Sequence, residues 1–87
     1  MVAEDLVLAR SASQGDQAAF ETIYEAYQKQ IYYHILRMVK DKHEAEDLTQ
    51  EVFMRAYQFM GTYSGTAALG RWLRRIATNL CIDKMRK

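Results

Sequence analysis

Between Phe20 and Val39 apolar side chains return every three or four positions, at Phe20, Ile23, Tyr24, Tyr27, Ile31, Ile35, Leu36 and Val39. This is the period of a long helix buried along one side. Asp16 supplies its start, because a carboxylate there can accept the free amides of the first turn. A shorter, weakly amphipathic helix precedes it over roughly residues 3 to 13, with Leu6, Val7 and Ala9 among charged neighbours, and Gln14-Gly15 ends it. Asp41 and Lys42 break the long helix. Glu44 and Glu46 then place negative charge in the opening turn of a third helix, where the backbone dipole favours it. Its inward stripe is Ala45, Leu48, Val52, Ala56 and Phe59. Gly61 and Gly65 bracket the polar Thr62-Tyr63-Ser64, and a fourth helix begins near Gly70 with Leu69, Leu73, Ile76, Ala77 and Leu80 facing inward. Four helices with short connections predict an all-α fold, a compact bundle of about four helices in one domain, residues 1–87.

Opposite the stripe of the third helix, at about 100° per residue, lie Asp47, Gln50, Glu51, Met54 and Gln58. A solvated acidic face needs no partner, and for a generic helix that is the default. Met54 and the flanking Phe53 point instead to a docking patch, in which flexible apolar side chains fill a partner's grooves and carboxylates select a basic counterpart.

Composition removes several classes of function. The chain has no proline and only four glycines, so nothing inside the long segments breaks a helix. Its single cysteine, Cys81, excludes an internal disulfide. No apolar run approaches the ~20 residues of a membrane span and no signal-peptide pattern is present, so the chain is expected in the cytoplasm and is not itself a membrane protein. The net charge of +1 hides an asymmetry: residues 71–87 carry +5 and the rest −4. One end is suited to a polyanion, and another surface to something different.

The fourth helix concentrates that positive charge. Arg71, Arg75, Asn79, Ile82 and Arg86 project away from its apolar stripe, with Trp72 to one side and Arg74 and Thr78 at the margins. Arginine forks hold phosphates, aromatic rings stack on unpaired bases, and an amide reads a base edge. Trp72 can equally sit partly in the core, as tryptophan usually does. The loop before the helix, residues 62–72, is built of small residues around one aromatic, Tyr63. Glycine lets a backbone approach a ligand, and open amides near the helix start can grip phosphate or a base.

Taken in order, "GDQAAFETIYEAY" (15–27), "EAEDLTQEVFMRAY" (44–57) and "YSGTAALGRWLRRIATNLCIDKMRK" (63–87) resemble region 2 of the bacterial extracytoplasmic-function (ECF) sigma factors of the sigma-70 superfamily. The resemblance covers essentially the whole chain. It implies a helical bundle that docks on the clamp helices of the largest subunit of core RNA polymerase and recognises the promoter −10 element as it melts. By the same resemblance Asp47, Gln50 and Glu51 face the polymerase, Leu48 and Val52 pack beneath them, and Phe53 and Met54 are rim contacts. The loop from Tyr63 to Leu69, with Ser64, Gly65 and Thr66, captures a base flipped from the single-stranded nontemplate strand, with Tyr63 and Asn79 lining the pocket and Trp72 and Thr78 beside it. Arg71, Arg74, Arg75, Arg86 and Lys87 contact phosphates. An anti-sigma factor is the implied regulator, covering the docking face.

The sequence departs from the family in three places. A complete family member carries a helix-turn-helix region 4 whereas the 87 residues here do not include one, the loop is bland at Thr66, Ala67 and Ala68, and Gly70 stands where a bulkier residue is ordinary. Rival readings are a helical double-stranded DNA-binding regulator and a helical protein–protein adaptor. Catalysis is the class least suited to the residues, and no cofactor is expected. His34 and His43 read as surface or helix-end histidines on different segments rather than metal ligands, Cys81 as a small, partly buried side chain with no activating neighbour, and Tyr24, Tyr27, Tyr32 and Tyr33 mostly as core and boundary packing. No glycine-rich nucleotide loop is present.

Overall fold

A computed structural model describes residues 2–86, with side chains from Glu4 onward. Four α-helices follow one another, α1 (Val2–Ser13), α2 (Gln17–Val39), α3 (Lys42–Phe59) and α4 (Leu69–Met85), and a 3-10 turn (Met60–Thr62) continues α3. The described residues contain no strand. As expected, Asp16 caps α2, its carboxylate accepting from the Ala19 amide at 3.2 Å. Asp41 does the same for α3, accepting from the Glu44 amide at 2.9 Å. Between them Lys40 ends α2 in the left-handed region (φ 59°) and donates its amide to the Leu36 carbonyl at 2.8 Å. Two residues therefore reverse the chain.

α2 is the spine. Its 23 residues span about 34 Å at 1.5 Å each, close to the 36 Å long axis of the molecule, and it packs against α1, α3 and α4. Ile23, Ile31 and Ile35 are fully enclosed, meeting Val52 and Ala56 of α3, Leu69, Leu73 and Ala77 of α4 and Ala9 and Ala12 of α1 in one core. Apolar burial of this kind is the main stabilising contribution in so short a chain. Phe20, Tyr27, Leu36, Val39 and Ile76 are only half-buried at its margin, and Tyr24 is more exposed still. Cys81 is fully enclosed; burial pushes its thiol pKa up, and the Glu44 carboxylate adds to this.

The inward stripe of α3 differs from expectation at both edges. Phe53, expected on the rim, is buried, and Thr49 is buried too because its hydroxyl donates to the Ala45 carbonyl at 2.6 Å, satisfying itself within the helix. Phe59, expected inside, is 54% exposed. The helix tightens into the 3-10 turn there, the period shortens, and Met60 takes the inward place.

Candidate nucleic-acid interface and docking face

The loop and α4 enclose a concave site of about 640 Å³. Tyr63, Ser64, Thr66 and Ala67 form one wall, and Arg71, Trp72, Arg74, Arg75, Thr78 and Asn79 the other. Tyr63 is almost wholly buried. Its ring leans on Trp72, with centroids 5.6 Å apart and planes at 57°, and its hydroxyl donates to the Ala67 carbonyl, closing the loop on itself. Burial pushes the Tyr63 phenol pKa up, with smaller contributions from Asp5 and Tyr27, so the phenol stays neutral. Ser64 and Thr66 share a hydroxyl–hydroxyl bond of 3.0 Å. Trp72 is half-buried, with one part packed and another lining the site. None of Arg71, Arg74 and Arg75 has an acidic partner among the described residues, and Arg71, Arg75 and Asn79 are exposed. Unpaired guanidinium groups around an aromatic cleft suit a polyanion carrying planar bases.

Not every expected residue reaches this cleft. Gly65 and Arg86 are not part of its lining, and Lys87 lies outside the described residues. One lining residue escaped the sequence: His34 of α2, expected as a surface or helix-end histidine, sits mid-helix and half-buried, its Nε2 2.9 Å from Thr78 Oγ1. Its pKa is held down by burial first and then by the Arg37 and Arg74 guanidinium groups. No periodicity marks it, because it belongs to the site only through the packing of α2 on α4.

The start of α4 also corrects an expectation. Its first amide, Leu69 N, is not open to a ligand: it donates to Asp5 Oδ2 at 2.9 Å, from a residue 64 positions earlier. Gly70, whose small size looked anomalous, has a reason. A Cβ there would stand 2.9 Å from Tyr27 Cε1, so α4 lies directly on the Tyr27 ring.

On α3 the exposed arc forms as expected: Asp47, Gln50, Glu51, Met54 and Gln58 are all in solvent, Met54 at 65%. Leu48 is buried beneath them. Phe53 faces α2, edge-on to Tyr24 at 4.9 Å and Phe20 at 6.5 Å, so only its margin lines the surface. The structure adds α2 residues that the sequence reading missed. Gln17, Phe20 and Tyr24 join Gln50, Met54 and Tyr57 around a shallow groove of about 550 Å³. Glu51 meets Arg55 at 3.4 Å, a half-exposed pair worth only about 0.3–0.5 kcal/mol and readily exchanged for another cation.

Among the described residues no three or more His, Cys, Asp or Glu side chains gather to hold a metal, and no helix is long and apolar enough to cross a membrane.

Residues 23–87 match the family model described as Sigma-70 region 2. The chain is 44% identical over 78 residues to the ECF RNA polymerase sigma factor SigW of Bacillus subtilis (strain 168), a match covering 90% of this chain and 42% of that protein. It is 40% identical over 76 residues to the RNA polymerase sigma-H factor of Pseudomonas aeruginosa, covering 87% and 39%. The chain thus spans about two fifths of the length of these curated relatives. Among solved structures, the NMR structure of an engineered region 2 of sigmaE in complex with GTAAAA superposes with a TM-score of 0.83 at 29% identity, covering 94% of this chain and 85% of that one.

Proposed function

The chain belongs to the Sigma-70 region 2 family, and from this we propose that it joins core RNA polymerase to an opening promoter, gripping the enzyme with one face and the −10 element with another. The observation carrying this reading is the cleft of Tyr63, Trp72, Arg71, Arg75 and Asn79, concave, cationic and aromatic, on a fold that superposes on an engineered region 2 of sigmaE solved in complex with GTAAAA. Its shape favours a flipped base over the edge of an intact duplex. Unstacking a base costs a few kcal/mol, and the cleft offsets that cost only once the strand has opened. Binding the nontemplate strand therefore drives melting without any chemical step.

Polymerase docking uses a different surface. Asp47, Gln50 and Glu51 present acid and amide around the Met54 groove, which suits the basic clamp helices of the largest subunit. An anti-sigma factor laying an apolar helix along the same groove excludes the polymerase without touching the DNA cleft.

The test is a pair of titrations on the parent chain. A labelled single strand containing GTAAAA should bind more tightly than its duplex, and a clamp-helix fragment should bind the parent but not Asp47→Ala combined with Gln50→Ala. Preference for the duplex would turn the reading toward a major-groove regulator. Clamp-fragment affinity that ignores the double substitution would remove the docking face.

A further inference from the structure

Helix α1 lies behind the cleft, and the family model's match, residues 23–87, leaves it out. It nevertheless follows the loop from end to end. Ser13 Cβ is 4.0 Å from where a Cβ on Gly61 would stand, and Leu6 Cδ2 is 3.1 Å from the corresponding point on Gly65. At the far end Asp5 Oδ2 accepts the Leu69 amide at 2.9 Å, while its Oδ1 receives a long bond, 3.5 Å, from the Tyr27 hydroxyl. Gly65 has φ 80°, so any side chain there meets both a strained backbone and Leu6.

The local sequence leaves α4 dependent on that carboxylate. Ala68 stands at its N-cap with extended backbone (φ −60°, ψ 146°) and has no side-chain acceptor to offer the free amides. Asp5 fills part of this role from another helix, which ties the loop's end to α1. Its negative charge also keeps phosphate away from the helix start, leaving phosphate contacts to the arginines.

We propose that Asp5 is a positioning residue for promoter-strand binding: by holding Leu69 against α1 it fixes the loop of residues 63–68 in its receiving shape without touching DNA. The idea rests on the cleft being the strand site. It makes the N-terminal helix a determinant of affinity for opened DNA and no determinant of polymerase docking.

Four full-length chains decide it: the parent, Asp5→Ala, Asp5→Asn, and Asp5→Ala combined with Ala68→Ser. Each is measured for thermal stability, amide hydrogen exchange, affinity for the labelled GTAAAA strand and affinity for the clamp-helix fragment. Asp5→Ala should speed exchange at Leu69 and across the loop and weaken strand binding by about fivefold to tenfold, the size of a lost cap, with clamp-fragment affinity unchanged. Asp5→Asn keeps an acceptor oxygen and should recover most of the strand affinity. Ala68→Ser restores a cap within α4 but no tie to α1, so it should recover stability and not affinity. If serine recovers both, Asp5 is only a remote cap and the proposal falls. It falls equally if Asp5→Ala leaves loop exchange and strand affinity at parental values, or if both affinities drop together. A parent that ignores the strand refutes the proposed function instead, and the exchange data then show separately whether Asp5 holds the loop.

Discussion

Phe53 and Met54 are adjacent in the chain and have opposite surroundings. Phe53 is 3% exposed between two α2 rings, whereas Met54 stands 65% in solvent. Phe53→Ala should therefore cost about 3–5 kcal/mol in urea unfolding, and Met54→Ala less than about 0.5 kcal/mol; only the second is a clean probe of docking. At Gly70 an added methyl gains up to about 1 kcal/mol of helix propensity but strikes Tyr27, so Gly70→Ala should lose about 1–3 kcal/mol net. His34 adds a pH dependence. Its folded pKa lies below the ordinary 6.5, so the unfolded chain takes up the proton first, and stability present above about pH 6.5 is lost as pH falls through the lowered folded value. The effect is small at so open a site. His34→Gln should flatten that part of the stability–pH curve, measured by thermal unfolding at several pH values.

At the scale of elements, much was legible and for a local reason. Helical period and the Asp16 cap are properties of neighbours in sequence, so four helices could be read directly, as could the solvent arc of α3 through Asp47, Gln50 and Met54. What sequence could not show depends on how one helix leans on another. His34 joins Thr78 across 44 residues and Asp5 joins Leu69 across 64, and Phe53 is buried because α2 offers it two rings. Phe59 and Met60 exchange places where α3 tightens, a change of pitch that a constant period cannot represent. The junction between α2 and α3 yields a prediction of its own. Lys40 holds a left-handed conformation that glycine adopts without strain, so Lys40→Gly should raise stability by up to about 1 kcal/mol. Asp41→Ala should lower it by about 1 kcal/mol by uncapping α3.

The whole molecule builds its two surfaces mainly on α4 and on α3, with α2 contributing to both at separate positions, and substitutions on α3 and α4 should separate likewise. Replacing Arg71 and Arg75 with alanine should weaken strand binding and lower the salt dependence by about 0.7 in slope per lost phosphate contact, while clamp-fragment affinity holds. Asp47→Ala with Gln50→Ala should do the reverse. Both pairs combine exposed residues, so thermal unfolding of the variants should stay near the parent.

Cys81 gives this small body a clock. It is the only thiol in the chain, it is completely enclosed, and its raised pKa leaves little thiolate to react. An alkylating reagent can reach it only in the brief intervals when α4 lifts from its neighbours, so the labelling rate counts those openings. A ligand that clasps the closed bundle lengthens the interval between them, and one sulfur atom then times occupancy at either surface with no dye on the protein.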